Sequence, residues 1–356
     1  MDNKIGILIT GAGAPGAPGI IYCLKKSADE RLRLIGVDID PSAVGSSFVS
    51  AFYTIPEPEK DAFISEIMNI CERERVKVIL PLVTRELIPL SRARQDLSSR
   101  GIYLPISDYN VIEILNDKSK LSARAKELGV SVPEFHLAND LNDIIAYVNS
   151  LGYPQKPICI KLPVSNGMRG FRIFDASRDK MNELLKEKPI GIYTTLEEFF
   201  IKFHDFVDKF PPYMVMEYLP GPEWTVDALS NNGRMLACIP RLRERIKNGI
   251  SFNAKVVKNE RIIEMTERLI EGLGIDGVVG FQFKEREDGT PCLIESNPRL
   301  QGTVILSACA GVNIPYILVK IGLGEKFEIG KIRWGMSIAR YWGWQFFDEE
   351  GLPYTF

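Results

Sequence analysis

The chain has 356 residues, 45% hydrophobic and 25% charged, with a formal net charge of −2. That length holds two or three domains with sizeable cores, and the composition is that of a soluble globular protein. A near-neutral chain offers no basic field, so neither nucleic acid nor a membrane is an expected partner.

The six cysteines (Cys23, Cys71, Cys159, Cys238, Cys292, Cys309) are scattered without a C-x-x-C, and His136 and His204 are the two histidines. This pattern argues against a zinc site or a disulfide framework. The thiols read as small buried hydrophobes in a reducing compartment. No signal-peptide pattern and no apolar run of membrane-spanning length stands out, so a cytoplasmic location is expected.

Lys4 to Thr10 is a compact apolar run, followed by Gly11-Ala12-Gly13-Ala14-Pro15-Gly16 and a helical stretch from about Gly19 to Lys26. This strand, turn and helix satisfy G-x-G-x-x-G. A second strand, Leu32 to Asp38, ends in an acid where a Rossmann domain holds a ribose. Phe63 to Arg73 reads as a helix, Val76 to Pro81 as a strand, Leu87 to Arg100 as a helix and Tyr103 to Pro105 as a short strand. Such alternation implies a parallel sheet with helices on both faces. The glycines serve either a dinucleotide, in a nicotinamide-dependent oxidoreductase, or only a tight turn with close packing. Pro15 and Pro18 remove two N–H donors from the loop and favour the second reading.

From Asn116 the character changes. Asn116 or Asp117 caps a helix that Gly129 stops. A further helix, Asp140 to Leu151, precedes the buried strand Pro157 to Pro163, in which Lys161 needs an anionic partner or snorkels from an edge. Ser165-Asn166-Gly167-Met168-Arg169-Gly170 links it to the strand Phe171 to Phe174, and a glycine-bearing loop of this kind is either a hairpin turn or a cradle for phosphate. Pro189 to Pro212 reads as helical, with Leu196, Phe199, Phe200, Phe203 and Phe206 as a packing stripe. Tyr213 to Leu219 and Glu223 to Leu229 are strands, and Asn231-Asn232-Gly233 marks a hairpin turn.

Arg241, Arg243 and Arg245 share one face of an extended segment, either a guanidinium fork for an anion or a solvated basic loop. Gly277 to Lys284 alternates like a strand, Asp288-Gly289 marks a turn, and Pro291 to Asn297 returns. Gln282, Glu295 and Asn297 then converge as oxygen donors beside Arg299, unless this is simply a solvated polar face. Hard oxygens next to a guanidinium suit Mg²⁺ holding a phosphate chain. Gly302-Thr303 opens a helix through Ala308.

Four of these motifs in order resemble the ATP-grasp superfamily, and most nearly a single synthetase unit of the carbamoyl-phosphate synthetase large subunit. They are Asp117-Lys118, Lys161 with the Ser165–Gly170 loop, Met216 to Leu219 with Gly221 and Glu223 to Asp227, and Gln282 with Glu295 to Arg299. The resemblance implies a fold that is α/β and α+β: a Rossmann-like domain over 1–112 and an ATP-grasp domain over 113–330. The latter divides into a lid at about 119–212 and a metal-binding part at about 213–330; the aromatic-rich tail over 331–356 lies outside the resemblance.

It further implies an ATP- and Mg²⁺-dependent ligase that activates a carboxylate as an acyl phosphate and couples it to an amine or thiol, with small-molecule substrates. Lys118, Lys161, Ser165, Gly167 and Gly170 would hold phosphates; Met216, Glu217, Tyr218 and Leu219 the adenine; Glu223 the ribose. Gln282, Glu295 and Asn297 would bind one or two Mg²⁺ (Mn²⁺ as a substitute), and Arg299, Arg241 and Arg245 would act at the reacting centre. Gln282 stands where many relatives carry an acid. The tail, with Trp334, Trp342, Trp344, Phe346 and Phe347, packs on the domain or across a homodimer.

Overall fold

A computed structural model describes residues 4–165, 168–179, 191–247, 249–341, 343–349 and 353–354. The chain divides into two compact units, residues 1–116, 223–283 and 295–356 in the first and 117–222 with 284–294 in the second. This grouping joins the domain expected over 1–112 to much of the part expected over 213–330, and it places Tyr213–Pro222 in the second unit.

The first unit opens with β1 (Ile5–Thr10), β2 (Leu32–Asp38), β3 (Ala51–Thr54) and β4 (Val76–Pro81), all parallel in the order β3-β2-β1-β4. Successive side chains of a strand face opposite ways. Ile7 and Ile9 therefore join Ile20, Ile21 and Leu24 of the helix Ala17–Lys25 in one core. Leu8 joins Phe63, Ile67 and Ile70 of the helix Ala62–Arg73 in another. Burying each such side chain stabilises the fold by about 1.5–3 kcal/mol. The expected helix over Leu87–Arg100 is broken at Ala93 into Leu87–Arg92 and Arg94–Ser99. Tyr103 makes an isolated parallel bridge to Val78 where a last strand was expected.

The second unit carries β5 (Phe135–Ala138), β6 (Ile158–Lys161), β7 (Arg172–Phe174), β8 (Tyr193–Thr194) and β9 (Tyr213–Glu217), in the order β5-β9-β6-β7-β8. Asp117 caps the helix Lys118–Glu127 by accepting from the Ser119 and Lys120 N–H groups. The single helix expected across Pro189–Pro212 is instead β8, a helix over Leu196–Phe203 and a 3-10 turn over His204–Lys209. Thr195 and Glu198 form a reciprocal capping box, which fixes that helix's start. Of the aromatic stripe Phe199 is buried, while Phe200 and Phe206 are exposed.

The large sheet is built from β10 (Glu223–Asn231), β11 (Arg234–Lys247), β12 (Ile250–Val256), β13 (Gly277–Glu285), β14 (Pro291–Asn297) and β15 (Ser337–Ala339), in the order β14-β13-β10-β11-β12-β15, with residues 284–294 of β13 and β14 counted in the second unit and the rest in the first. Asn232 and Gly233 both have positive φ, the mirror-image turn that matches strand twist. Leu229, Ile239, Val256 and Val278 lie in the same core as Ile7 and Ile9. That shared core unites the N-terminal sheet with the large sheet. Cys309 is exposed, contrary to the expectation that the thiols are buried, whereas the other five are buried. Among the described residues no helix is long and apolar enough to cross a membrane.

Candidate active site

In the first unit β14 ends in the residues expected to bind metal. Asn297 Nδ2 donates to Glu295 Oε1 at 3.5 Å, and Ser296, on the opposite face, donates to the Leu115 carbonyl. Arg299 donates from Nη2 to Asn297 Oδ1 at 3.3 Å and from Nε to Thr84 Oγ1 at 3.1 Å. Burial pushes the Arg299 guanidinium below its ordinary pKa, while the nearby Glu295 and Glu86 carboxylates pull it back. An arginine stays charged through such a shift.

Gln282 does not join Glu295 and Asn297 by a direct hydrogen bond. Its Oε1 accepts from Arg243 Nη1 at 3.3 Å, and that same nitrogen bonds the Glu223 carboxylate. Arg243 also donates to Ser251 Oγ at 2.8 Å. A residue expected in a basic fork is thus the clamp on two expected ligand contacts.

The fork itself is corrected by the structure. Register shifts flank Arg245, so that Arg243 pairs with Ala254 and Arg245 with Asn253. Adjacent partners face opposite ways, so this bulge turns Arg245 off the face of Arg243. Arg245 is exposed, whereas Arg241 is fully buried. Arg241 Nη2 donates to Asp227 Oδ1 at 2.6 Å and to Gln301 Oε1 at 3.2 Å, while its Nε and Nη1 are buried without a hydrogen-bond partner. Burial raises the Asp227 carboxyl above its usual range, opposed by Arg241 and by the Ser307 hydroxyl. Gly280 makes room for this arrangement, since a Cβ there would meet Gln301 Nε2 at 1.4 Å.

The glycine-rich turn has a packing reason. Gly13 N–H donates to Asp38 Oδ2 at 2.7 Å, engaging the acid expected for a ribose. A Cβ on Gly16 would lie 2.4 Å from Gly302 Cα. The turn therefore backs the segment that follows Arg299.

Sequence reasoning missed Glu86. It is 4% exposed, in the turn after β4, and accepts a hydrogen bond from the Thr10 hydroxyl. Burial foremost, and then the Asp38 charge, push its carboxyl up to about 7, against the Thr10 bond, the Val83 backbone and the Arg299 charge. No motif marks it. Its place at the C-terminal edge of a parallel sheet, where such sheets bind ligands, was the available signal.

In the second unit Lys118 is buried and its Nζ donates to the Ser165 carbonyl at 2.9 Å. Lys161 is buried too, and its Nζ donates to the Ile294 carbonyl at 2.7 Å. Gly167 lies outside the described residues, and Gly170 has φ of +73°. Met216 and Leu219 are buried and Tyr218 half-buried. The Glu217 carboxylate accepts from Arg286 Nε at 2.6 Å.

Among the described residues no group of three or more His, Cys, Asp or Glu side chains is placed to hold a metal ion. Glu295 with Asn297 supplies one carboxylate and one amide. That set fits Mg²⁺, which keeps several waters and takes one or two carboxylates together with substrate phosphates. Gln282, already engaged by Arg243, gives less support for a second ion.

Residues 209–341 match the family model described as "ATP-grasp in the biosynthetic pathway with Ter operon", and residues 7–105 match "PylC-like, N-terminal domain". The carbamoyl phosphate synthase large chain of Thermoanaerobacter sp. (strain X514) is 27% identical over 327 residues, covering 86% of this chain and 28% of that protein. The chain thus spans little more than a quarter of that relative's length. Among solved structures, the biotin carboxylase domain of Hydrogenobacter thermophilus 2-oxoglutarate carboxylase, in complex with MgADP, ADP and bicarbonate, superposes with TM-score 0.67 at 16% identity, covering 93% of this chain and 73% of that one. The L-amino acid ligase from Bacillus licheniformis gives TM-score 0.64 at 18% identity, covering 94% and 78%. At such identities the likeness is one of fold.

Proposed function

We propose, for a chain that carries an ATP-grasp domain behind a PylC-like N-terminal domain, that it is an ATP-dependent ligase joining a carboxylate to an amine. The observation that carries this reading is the run Glu295, Asn297 and Arg299 at the end of β14, its arginine anchored to Thr84. In the first step a substrate carboxylate oxygen attacks the γ-phosphorus of ATP and ADP leaves. In the second the amine nitrogen attacks the acyl carbon, and the bond from that carbon to the phosphate oxygen breaks.

Lys118 and Lys161 neutralise phosphate charge as mobile cations, helped by Ser165, Gly167 and Gly170 of the loop. Met216, Glu217, Tyr218 and Leu219 receive the adenine, the buried Met216 and Leu219 supplying apolar surface. Glu223 accepts from the ribose hydroxyls and Arg243 holds it in place. Glu295 and Asn297 would hold Mg²⁺, which when bound draws charge off the phosphate chain. Arg299 orients the carboxylate and the transferred phosphoryl group through paired N–H donors. Arg245, exposed beyond the bulge, takes no part at the reacting centre in this reading.

The test is a screen of carboxylate and amine pairs for ADP release, with hydroxylamine to trap the acyl phosphate. Carboxylate-dependent ADP and hydroxamate in equal amounts support the reading. NADH binding without any ATP turnover would favour an oxidoreductase instead.

A further inference from the structure

We propose that the first unit binds the diphosphate group of a small molecule in a basic cavity at the edge of its parallel sheet where the strands begin, held by Lys4, Arg33, Arg73 and Arg75. This site does not depend on the ligase reading. All of its residues belong to the first unit.

The cavity, of about 350 Å³, is lined by these four cations with Glu74 and Ser50. The topology gathers them. Lys4 precedes β1, Arg33 is the second residue of β2, Ser50 precedes β3 and Arg75 precedes β4, while Arg73 ends the helix Ala62–Arg73. Parallel strands start at one edge and finish at the other, so the residues of the candidate active site that follow β1 and β4 stand at the opposite edge. A six-residue strand puts roughly 15–20 Å between the two.

The one carboxylate in the cavity is already spent. Glu74 accepts from Arg33 Nε at 2.8 Å through Oε2 and from the Tyr53 hydroxyl through Oε1. The Arg33 bond foremost, then Tyr53 and the Arg73 charge, hold its carboxyl below the usual range against burial. Lys4 Nζ donates to the Glu30 carbonyl and the Arg73 guanidinium lies 4.3 Å from the centre of the Tyr53 ring. Among the described residues, Arg33 alone of the four cations has a carboxylate partner.

Arg73 and Arg75 also complement the negative end of their helix. That accounts for neither Lys4 nor Arg33, which come from strands. Arg75 has φ of +53°, at the position after a helix that glycine fills without strain. The chain thus sets a charged side chain where the backbone favours none.

Guanidinium forks match phosphate oxygens, and cations drawn from three strands and a helix suit an anion longer than a single phosphate. The charge is confined to one cavity of a chain whose net charge is −2. Nucleic acid or a membrane surface would need a basic field spread over a face.

The test is a thermal-unfolding titration of the full-length chain with inorganic pyrophosphate, in EDTA so that no metal assists binding at the candidate active site. Wild type is expected to melt higher as pyrophosphate rises, and orthophosphate should need at least about 10-fold more for the same shift. Arg75→Gly removes a charge where glycine fits the backbone. It should weaken pyrophosphate by about 10-fold without lowering the melting temperature of the free chain. Lys4→Gln should weaken it similarly, whereas Lys161→Met, which alters the proposed ATP site, should leave the response intact. No response in wild type overturns the proposal. So does a response that survives both Arg75→Gly and Lys4→Gln, or one that vanishes in Lys161→Met.

Discussion

Arg241 and Asp227 form an ion pair of 2.6 Å in which both side chains are shut off from solvent, on neighbouring strands of the large sheet. Desolvation opposes both charges, lowering the arginine's pKa and raising the aspartate's. Such a pair adds little net stability, but removing one partner strands the other. Asp227→Ala is expected to cost about 3–5 kcal/mol in urea unfolding. Asp227→Asn, which keeps the hydrogen-bond acceptor, should cost less. Equal losses in the two variants would mean that packing, not charge, sets the penalty.

Glu295 is the carboxylate in the proposed metal set. Glu295→Ala should reduce carboxylate-dependent ADP release by roughly 100-fold or more while the melting temperature holds. Normal turnover in that variant would remove the metal assignment.

Lys161 sits on β6 with its ammonium against the Ile294 carbonyl. If it serves ATP phosphates, Lys161→Met should raise KM for ATP by about 10- to 100-fold, the value of one charge-assisted hydrogen bond. Nucleotide titration followed by intrinsic fluorescence checks this without reference to turnover. An unchanged ATP affinity would assign the lysine to the fold alone.

Glu86 gives a pH signature. Its folded pKa, about 7, exceeds the ordinary 4.5, so the folded chain binds more protons than the unfolded chain between those values. Stability from this group is complete below about pH 4.5 and is lost as pH rises through 7, in total about 3 kcal/mol. Glu86→Gln should therefore gain on wild type from pH 5 to pH 7 in urea unfolding, then run parallel to it. A constant difference across that window contradicts the assignment.

Gly16 touches backbone, where nothing can yield cheaply. Gly16→Val should destabilise the chain by about 1–3 kcal/mol through its clash with Gly302, and NADH should bind neither form. Tight NADH binding by wild type would restore the dinucleotide reading of the turn.

These residues also show what the sequence could carry. The hairpin of β13 and β14 was legible because alternation and the Asp288-Gly289 turn signal agree over a short span. The N-terminal strands were legible as compact apolar runs bounded by Gly and Pro. Arg245 was misplaced because register shifts on both sides of it take it out of the strand's regular alternation, and nothing in Arg243-Glu244-Arg245 announces them. Glu86 was missed because a lone acid after a strand has no pattern. Its significance comes from Arg299, more than 200 residues away in the chain. The role of Arg243 was hidden for the same reason, since its partners Glu223, Ser251 and Gln282 are assembled only by the sheet.

The strand β15 closes one side of the large sheet. It pairs with β12 for three residues and then stops, as the outermost strand of its side of the sheet. A long bare edge invites another chain to add a strand, and a short one offers too few N–H and C=O groups to seed it. The short strand thus discourages self-association, and a truncation before Ser337 would lay the longer edge of β12 bare and favour aggregation.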